Sequence, residues 1–227
     1  MKRAEEFPAA QTFFPARRSL TAFRAAVNHC RACPLYGEAT QAVFGEGPVH
    51  AGLMLVGEQP GNQEDLAGRP FVGPAGRVLD EALAEVGIDR SEIYVTNVVK
   101  HFSFVRKGSS RIHKTPAVRE VSACMPWLEQ EIAIVEPAVI VCLGATAARA
   151  LVGREARVQR DRGRRLETPW ALSTFVTYHP SALLRAPDPA TRDQMLAEFT
   201  ADLRAAAASL RGASRADSRR RAGAAAR

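Results

Sequence analysis

Residues 53–61 read Leu-Met-Leu-Val-Gly-Glu-Gln-Pro-Gly, an apolar run that passes directly into a polar turn bounded by glycines. A short apolar run that ends in turn residues is typical of a buried strand. Similar runs occupy residues 93–99, 139–143 and 172–178, with helical patterns between them. Strands that alternate with helices predict a parallel sheet.

The predicted helices complete this architecture; they cover residues 21–29, 74–86, 118–134, 145–151 and 189–210. Strands that are apolar throughout are covered by helices on both faces. A chain of 227 residues with 46% hydrophobic composition suits one core rather than two. We therefore expect a single-domain, three-layer α/β/α fold with a central, mostly parallel four-stranded sheet over residues 19–210. Residues 1–18 form an extension.

The formal net charge of +7 is concentrated in the last residues. Residues 211–227 contain six Arg and one Asp, and their composition of Arg, Ala, Gly, Ser and Asp predicts a disordered basic tail. The remaining charge is only +2, so bulk charge is weak support for a nucleic-acid partner. Two local clusters are more informative: residues 100–119 contain six cations and no acid, and a second basic run covers residues 154–165. Such clusters suit phosphate backbones, or they are solvated loops.

The four cysteines are spaced Cys30-x2-Cys33, then Cys124, then Cys142. No apolar run is long enough to cross a bilayer, and the N-terminus is too acidic for a secretory signal, which predicts a cytoplasmic protein without a membrane partner. In a reducing compartment these cysteines are expected to bind a metal or cluster rather than to form disulfides. Zinc and iron–sulfur are both acceptable for four thiolates.

Unusual polar residues follow three of the predicted strands: Gly57 to Gly61 after the first, Asn97 with Lys100 and His101 after the second, and His179-Pro180-Ser181 after the fourth. Ligands of doubly wound sheets bind outside the carboxyl ends of the strands. The sequence therefore predicts one site at that edge.

These motifs together resemble those of family-4-like uracil-DNA glycosylases. The shared strings are G-E-Q-P-G at 57–61, F-V-G-P-A-G at 71–76, T-N-V-V-K-H at 96–101, H-P-S at 179–181 and the cysteine spacing. Their joint order is specific, although each string alone is not. The loop ending R-I-H-K-T-P at 111–116 is similar to that of the UdgX branch, which forms covalent adducts with uracil-containing DNA.

The resemblance implies a role for each residue at the base. Phe71 would stack on the extruded uracil, Asn97 would discriminate uracil from cytosine, His179 would donate a hydrogen bond to the uracil carbonyl, and the turn at Gln59 would contact the base. The residues alone also allow Phe71 as core, Asn97 as a turn residue and Ser181 as a helix cap.

The remaining implied roles concern the sugar, the phosphates and the cofactor. Glu58 would orient water, stabilise the sugar cation or align a histidine. His113 lies in a polar loop and is the candidate nucleophile for the anomeric carbon, or else a phosphate contact. The expected phosphate contacts are Lys100, Arg106, Lys107, Arg111, Lys114 and Ser181. His101 is expected to be structural or phosphate-facing. The cysteines would hold a four-iron four-sulfur cluster, with zinc less favoured.

The expected function is excision of uracil from single- or double-stranded DNA by a monomer that becomes joined to the DNA through His113. Two alternatives remain. The chain could be an ordinary multiple-turnover family-4 glycosylase in which His113 only contacts phosphate, because Ser109-Ser110 replaces the branch's usual Lys-Arg pair. Asn62 also stands where the branch usually has Asp, so an acid at that place is absent. It could also be a non-catalytic iron–sulfur or zinc nucleic-acid-binding protein.

Overall fold

The central sheet contains five strands. The structure is a computed structural model that describes residues 7–225, with side chains described to residue 212. The strands are β1 (Leu53–Gly57), β2 (Tyr94–Asn97), β5 (Val139–Leu143), β6 (Leu166–Thr168) and β7 (Ala171–Thr177). Their spatial order is β2-β1-β5-β7-β6. Strands β1, β2, β5 and β7 run parallel, and β6 pairs antiparallel with β7.

Helices cover both faces of the sheet. They are α1 (Leu20–Val27), α2 (Asn62–Ala67), α3 (Pro74–Glu85), α4 (Val118–Val135), α5 (Ala145–Leu151), α6 (Val158–Asp161), α7 (Pro180–Leu183) and α8 (Pro189–Ala225). Apolar residues of α1, α4 and α5 pack on one face of the sheet, and those of α3 and α8 pack on the other. The predicted three-layer α/β/α fold is confirmed.

The number of strands was wrong: the sheet has five strands rather than four. Strand β6 has only three residues, none of them buried, and it follows a basic run. An edge strand of this length needs no apolar run, so composition carries no sign of it. Its antiparallel pairing leaves the sheet mostly parallel.

A second difference lies around residues 104–113, because the sequence predicts a polar loop over residues 106–114. They form an antiparallel hairpin of β3 (Phe104–Lys107) and β4 (Ser110–His113), paired from Phe104↔His113 to Lys107↔Ser110. Gly108 takes φ 58° at the turn, a conformation that suits glycine in a two-residue hairpin connection. The hairpin places His113 at its end, beside the sheet.

The segments on either side of the predicted domain also contain structure that the sequence did not predict. Phe14, in the predicted extension, packs edge-on against Phe23 of α1 and Trp127 of α4. Residues 211–225, predicted as disordered, continue the backbone of α8, and Ala and Arg are among the best helix formers. Residues 1–6 and 226–227 lie outside the described residues. Within the described chain, no helix combines the length and apolar character needed to span a membrane.

Candidate active site

A cavity of about 670 Å³ opens at the carboxyl ends of the parallel strands. Its walls come from the turns after β1, β2, β5 and β7 and from the end of the β3–β4 hairpin. The predicted residues that line it are Glu58, Gln59, Phe71, Asn97, His113, His179 and Ser181. The strand topology therefore gathers residues that are more than 120 positions apart in the chain into one pocket.

The carboxylate of Glu58 lies on the pocket wall nearest to His113. Its Oε1 lies 3.6 Å from His113 Nε2, and its Oε2 accepts a hydrogen bond of 2.5 Å from Thr146 Oγ1. The side chain of Glu58 is 20% exposed and that of His113 is 50% exposed. Burial lowers the pKa of His113, while the charge of Glu58 opposes that shift. The imidazole of His113 is therefore neutral near pH 7 and has a lone pair available.

The side chain of Gln59 forms hydrogen bonds with residues at the base of the hairpin. Its Oε1 accepts from the Ser103 N–H at 2.8 Å, which fixes the orientation of the amide. Its Nε2 is within hydrogen-bonding distance of the Ser103 and Lys114 carbonyls and lies 2.8 Å from His113 Nε2. Ser103 and Lys114 flank the two strands, so Gln59 ties the hairpin shut at its base. The contact of this turn with the base remains a prediction, and with the side chain engaged it concerns the backbone around Gln59.

Because an amide nitrogen only donates, His113 Nε2 accepts from Gln59 in this arrangement. The neutral ring then carries its proton on Nδ1. This assignment follows from the partners of the ring, as such tautomers usually do. The Nε2 lone pair is therefore directed at the Gln59 amide, and Glu58 Oε1 lies 3.6 Å from the same nitrogen.

Phe71 and Asn97 form the floor of the pocket, and Gly57 makes room for them. A Cβ at Gly57 would lie 2.3 Å from Asn97 Oδ1 and 2.7 Å from the ring of Phe71. Phe71 is buried with φ 55°, a rare left-handed conformation for a bulky residue. Asn97 Oδ1 is buried without a hydrogen-bond partner among the described residues. Such an acceptor is costly to bury unless a ligand satisfies it.

His179 is held by the helix that it caps. The Ser181 backbone N–H donates to His179 Nδ1 at 3.2 Å, and Ser181 Oγ lies 2.8 Å from the same atom. Burial lowers the pKa of His179 to about 4, with smaller contributions from His113 and Arg185. The ring is neutral and its Nδ1 accepts, so the proton is on Nε2. The cap of this helix is therefore His179 and not Ser181, whose N–H and hydroxyl orient the ring. The predicted phosphate contact of Ser181 remains a prediction.

Lys100 is not a phosphate contact, and that prediction was wrong. Its side chain is 0% exposed and forms an ion pair with Glu131, which is also fully buried. Its Nζ also donates to Thr96 Oγ1 at 2.8 Å and to the Asn97 carbonyl at 2.6 Å. The sequence places this lysine in a basic cluster, but the sheet buries it opposite an acid from α4.

Arg111 also differs from its prediction. Its guanidinium donates to Asp65 at 2.6 Å and to Asn62 at 2.7 Å, and only 12% of the side chain is exposed. It lies over the rings of Phe102 and Phe104. Arg111 therefore fastens the hairpin to α2 instead of pointing outward. Arg106, Lys107 and Lys114 are exposed, as phosphate contacts must be.

The four cysteines are free and buried in one apolar cluster. The charges of Cys30, Cys33 and Cys124 influence one another, whereas Cys142 is in the middle of the sheet on β5. Burial raises the pKa of Cys33 to about 11 and those of Cys124 and Cys142 to about 12. Among the described residues, no group of three or more His, Cys, Asp or Glu side chains is arranged to hold a metal ion.

Sequence reasoning missed the residues after the third parallel strand. Gly144 and Ala145 line the pocket, and Thr146 donates a hydrogen bond to Glu58. Arg185, which follows α7, also lines the pocket and was missed. Residues 144–146 read Gly-Ala-Thr, which is unremarkable as the start of a helix. The position after a parallel strand was the available signal, since ligands bind at every such end.

The fold and pocket define an α/β protein with a cavity lined by polar residues at the carboxyl ends of its parallel strands. A family model described as the uracil DNA glycosylase superfamily matches residues 44–204. The chain belongs to this superfamily, a class of enzymes that hydrolyse N-glycosidic bonds. The predicted enzyme class is thereby confirmed, and the non-catalytic alternative loses its support.

Several curated relatives are similar over most of their length. The type-4 uracil-DNA glycosylase of Pyrobaculum aerophilum is 43% identical, over 71% of this chain and 82% of the relative. The type-4 enzyme of Thermotoga maritima is 42% identical, over 70% and 80%. That of Archaeoglobus fulgidus is 35% identical, over 77% and 85%. The family-4 part of the resemblance is confirmed by these relatives.

Proposed function

We propose that this chain excises uracil from DNA and remains joined to the sugar through His113, as the UdgX branch does. The observation that carries the proposal is the position of His113: a neutral imidazole that lines the pocket, with Nε2 3.6 Å from Glu58 and held by a hydrogen bond from Gln59 that must open before attack. Uracil in DNA as the substrate is supported by the relatives, which are named type-4 uracil-DNA glycosylases.

The floor of the pocket suits uracil better than cytosine. The unpaired Asn97 Oδ1 would accept the N3–H of uracil, whereas cytosine offers an unprotonated N3 at that position. The His179 Nε2–H would donate to a uracil carbonyl, and Phe71 would stack on the base. A preorganised donor aimed at developing charge lowers the activation free energy of such reactions by about 3–4 kcal/mol. The nucleotide must first leave the base stack to reach this floor.

The sugar would react on the opposite wall. As the bond between uracil N1 and the sugar C1′ breaks, the electron pair leaves with uracil as its anion. The Nε2 lone pair of His113 forms a bond to C1′, and the resulting imidazolium loses its Nδ1 proton to solvent. Glu58 would stabilise the positive charge on the sugar before that bond forms. No water is consumed, so the product is an alkylated histidine.

An ordinary multiple-turnover glycosylase is the second candidate. His113 is half exposed, and Gln59 engages the nitrogen that would attack. The branch's usual Lys-Arg pair is replaced by Ser109-Ser110, which are both exposed on the hairpin. These features favour reaction of water with the sugar before His113 reaches it.

A denaturing gel separates the two candidates. Mixed with excess uracil-containing single-stranded DNA, the wild-type protein is expected to form one heat-stable adduct per molecule. His113→Ser should form no adduct and should release abasic DNA repeatedly. The matched control is His50→Asn, because His50 is exposed and its left-handed backbone suits Asn. Abasic product in excess of wild-type enzyme, without an adduct, would favour the ordinary glycosylase.

We further propose that the four cysteines hold a four-iron four-sulfur cluster. Thiols with raised pKa values ionise when bound to such cations, and the cluster would tie the N-terminal segment and α4 to the sheet. Iron and acid-labile sulfide in equal amounts, at four of each per chain, are expected from elemental analysis. Zinc at one per chain, with no visible absorbance, would contradict the assignment.

A further inference from the structure

The turn after β5 contacts both walls of the pocket. Gly144 and Ala145 line the cavity, and Thr146, in the first turn of α5, extends its hydroxyl to Glu58. We propose that Thr146 is a positioning residue for Glu58: its hydroxyl fixes the carboxylate in the orientation that stabilises the sugar and faces His113. This inference rests on the proposed role of Glu58.

The two carboxylate oxygens of Glu58 have different partners. The Thr146 hydroxyl donates to Oε2 at 2.5 Å, and Oε1 faces His113 Nε2 at 3.6 Å. A glutamate carboxylate can turn away from the pocket into solvent by rotation about the side-chain bonds, and 20% of this side chain is exposed. One charge-assisted hydrogen bond to Oε2 selects the conformation that leaves Oε1 facing the sugar position.

Thr146 is itself held independently of Glu58. The Gly144 N–H donates to the Thr177 carbonyl at 2.9 Å, which fixes the turn to the end of β7. Ala147 and Ala148 follow directly and are fully buried against the sheet. The hydroxyl therefore projects from a rigid support, as a preorganised positioning group requires.

Gly144 allows this turn to come close to the second histidine. It has φ 90°, and a Cβ there would lie 2.9 Å from His179 Cβ. A side chain would push apart the turns after β5 and β7. The turn at residues 144–146 therefore brings Thr146 against Glu58 and Gly144 against His179. The end of β5 thus supports both sides of the pocket.

The test measures the single-turnover rate of uracil release at saturating protein. Thr146→Val keeps the shape of the side chain but loses the hydroxyl, and we expect the rate to fall about ten- to hundredfold, the range for a hydrogen bond to a charged group. Affinity for uracil-free DNA should be unchanged. Thr146→Ser retains the donor and should recover most of the rate. A purely structural role would not be rescued in this way.

A double-mutant cycle with Glu58→Ala tests whether Thr146 acts through Glu58. Once the carboxylate is absent, adding Thr146→Val should change the rate less than about twofold. Thr191→Val is the matched control: it also removes a threonine–carboxylate bond, Thr191 Oγ1 to Asp188 Oδ2 at 2.7 Å, outside the pocket. It should leave the rate unchanged.

The outcomes distinguish the two levels of the proposal. A slow Glu58→Ala combined with a wild-type rate for Thr146→Val would overturn the role of Thr146 and leave that of Glu58 standing. Rate losses that multiply in the double variant would also overturn it. A wild-type rate for Glu58→Ala would overturn the role of Glu58 itself, and with it this inference.

Discussion

At the scale of single residues, burial decides which neighbouring side chains meet DNA and which do not. His101 follows Lys100 in a basic motif, where the sequence allows either a structural or a phosphate-facing role. It is buried, and burial together with the charge of Arg31 lowers its pKa to about 4. The structural role is the one that this environment supports.

A pH dependence of stability follows for His101. Its pKa is near 4 in the folded chain and near 6.5 when unfolded, so the unfolded chain binds the additional proton between these values. The contribution is fully present above about pH 6.5 and is lost as the pH falls through about 4, on the order of 3 kcal/mol in all. Urea unfolding of the wild type from pH 7 to 4 measures the loss.

The comparison needs a variant, because acid also affects other groups. His101→Gln should lose less stability than the wild type over this range, and the exposed His50→Asn should follow the wild type. Parallel curves for His101→Gln and wild type would show that His101 titrates at its ordinary pKa.

At the scale of elements, the β3–β4 hairpin is the part that the sequence describes least well. Its strands contain five polar side chains among eight residues, and hardly any of its surface is buried. It is held instead by Gln59 at its base and by Arg111 on Asp65, a residue with no exposed side-chain surface. Its position depends on polar contacts between residues that lie 44 or more positions apart in the chain.

Arg111→Ala should therefore loosen the hairpin. Loss of hydrogen bonds to a buried carboxylate is expected to accelerate amide exchange over residues 104–113 by about ten- to hundredfold. Uracil release should slow as His113 and the backbone near Gln59 lose their fixed positions. Lys107→Ala, at an exposed site on the same hairpin, is the control. Equal exchange in both variants would show that Arg111 is not what holds the hairpin.

At the scale of the whole molecule, Glu131 joins three parts of the fold. It accepts hydrogen bonds from the Gly45 N–H at 2.8 Å and from Tyr94 Oη at 3.0 Å, and it forms an ion pair with Lys100. Lys100 in turn donates to the carbonyl of Asn97 on the pocket floor. The pair therefore links α4 and β2 with the loop at residue 45, beneath the active site.

Lys100→Met should be strongly destabilising, because it leaves the charge of Glu131 buried without its partner. Removal of one member of a buried pair typically costs about 3–5 kcal/mol of unfolding free energy. Lys100→Met with Glu131→Gln removes both charges and keeps an acceptor, so it should regain part of the loss. Urea unfolding measures both. A double variant that is less stable than Lys100→Met would contradict the charge argument.

The sequence by itself determined the layers of the fold and most of the pocket. Apolar runs and helical patterns are local signals, and they located the four parallel strands and α3, α4 and α5 within a few residues. Because parallel strands end at one edge, they also indicated that Glu58, Asn97 and His179 meet there.

Only the tertiary structure decided which polar side chains face the ligand and which face the protein. Lys100 is buried by an acid 31 residues away, Arg111 is turned inward by Asp65, and Thr146 comes within reach of Glu58 across 88 residues. Such pairings depend on distances through space, which no local period or composition encodes. For this reason, the motifs indicated the class of site, whereas they did not indicate the polar contacts that hold its side chains in place.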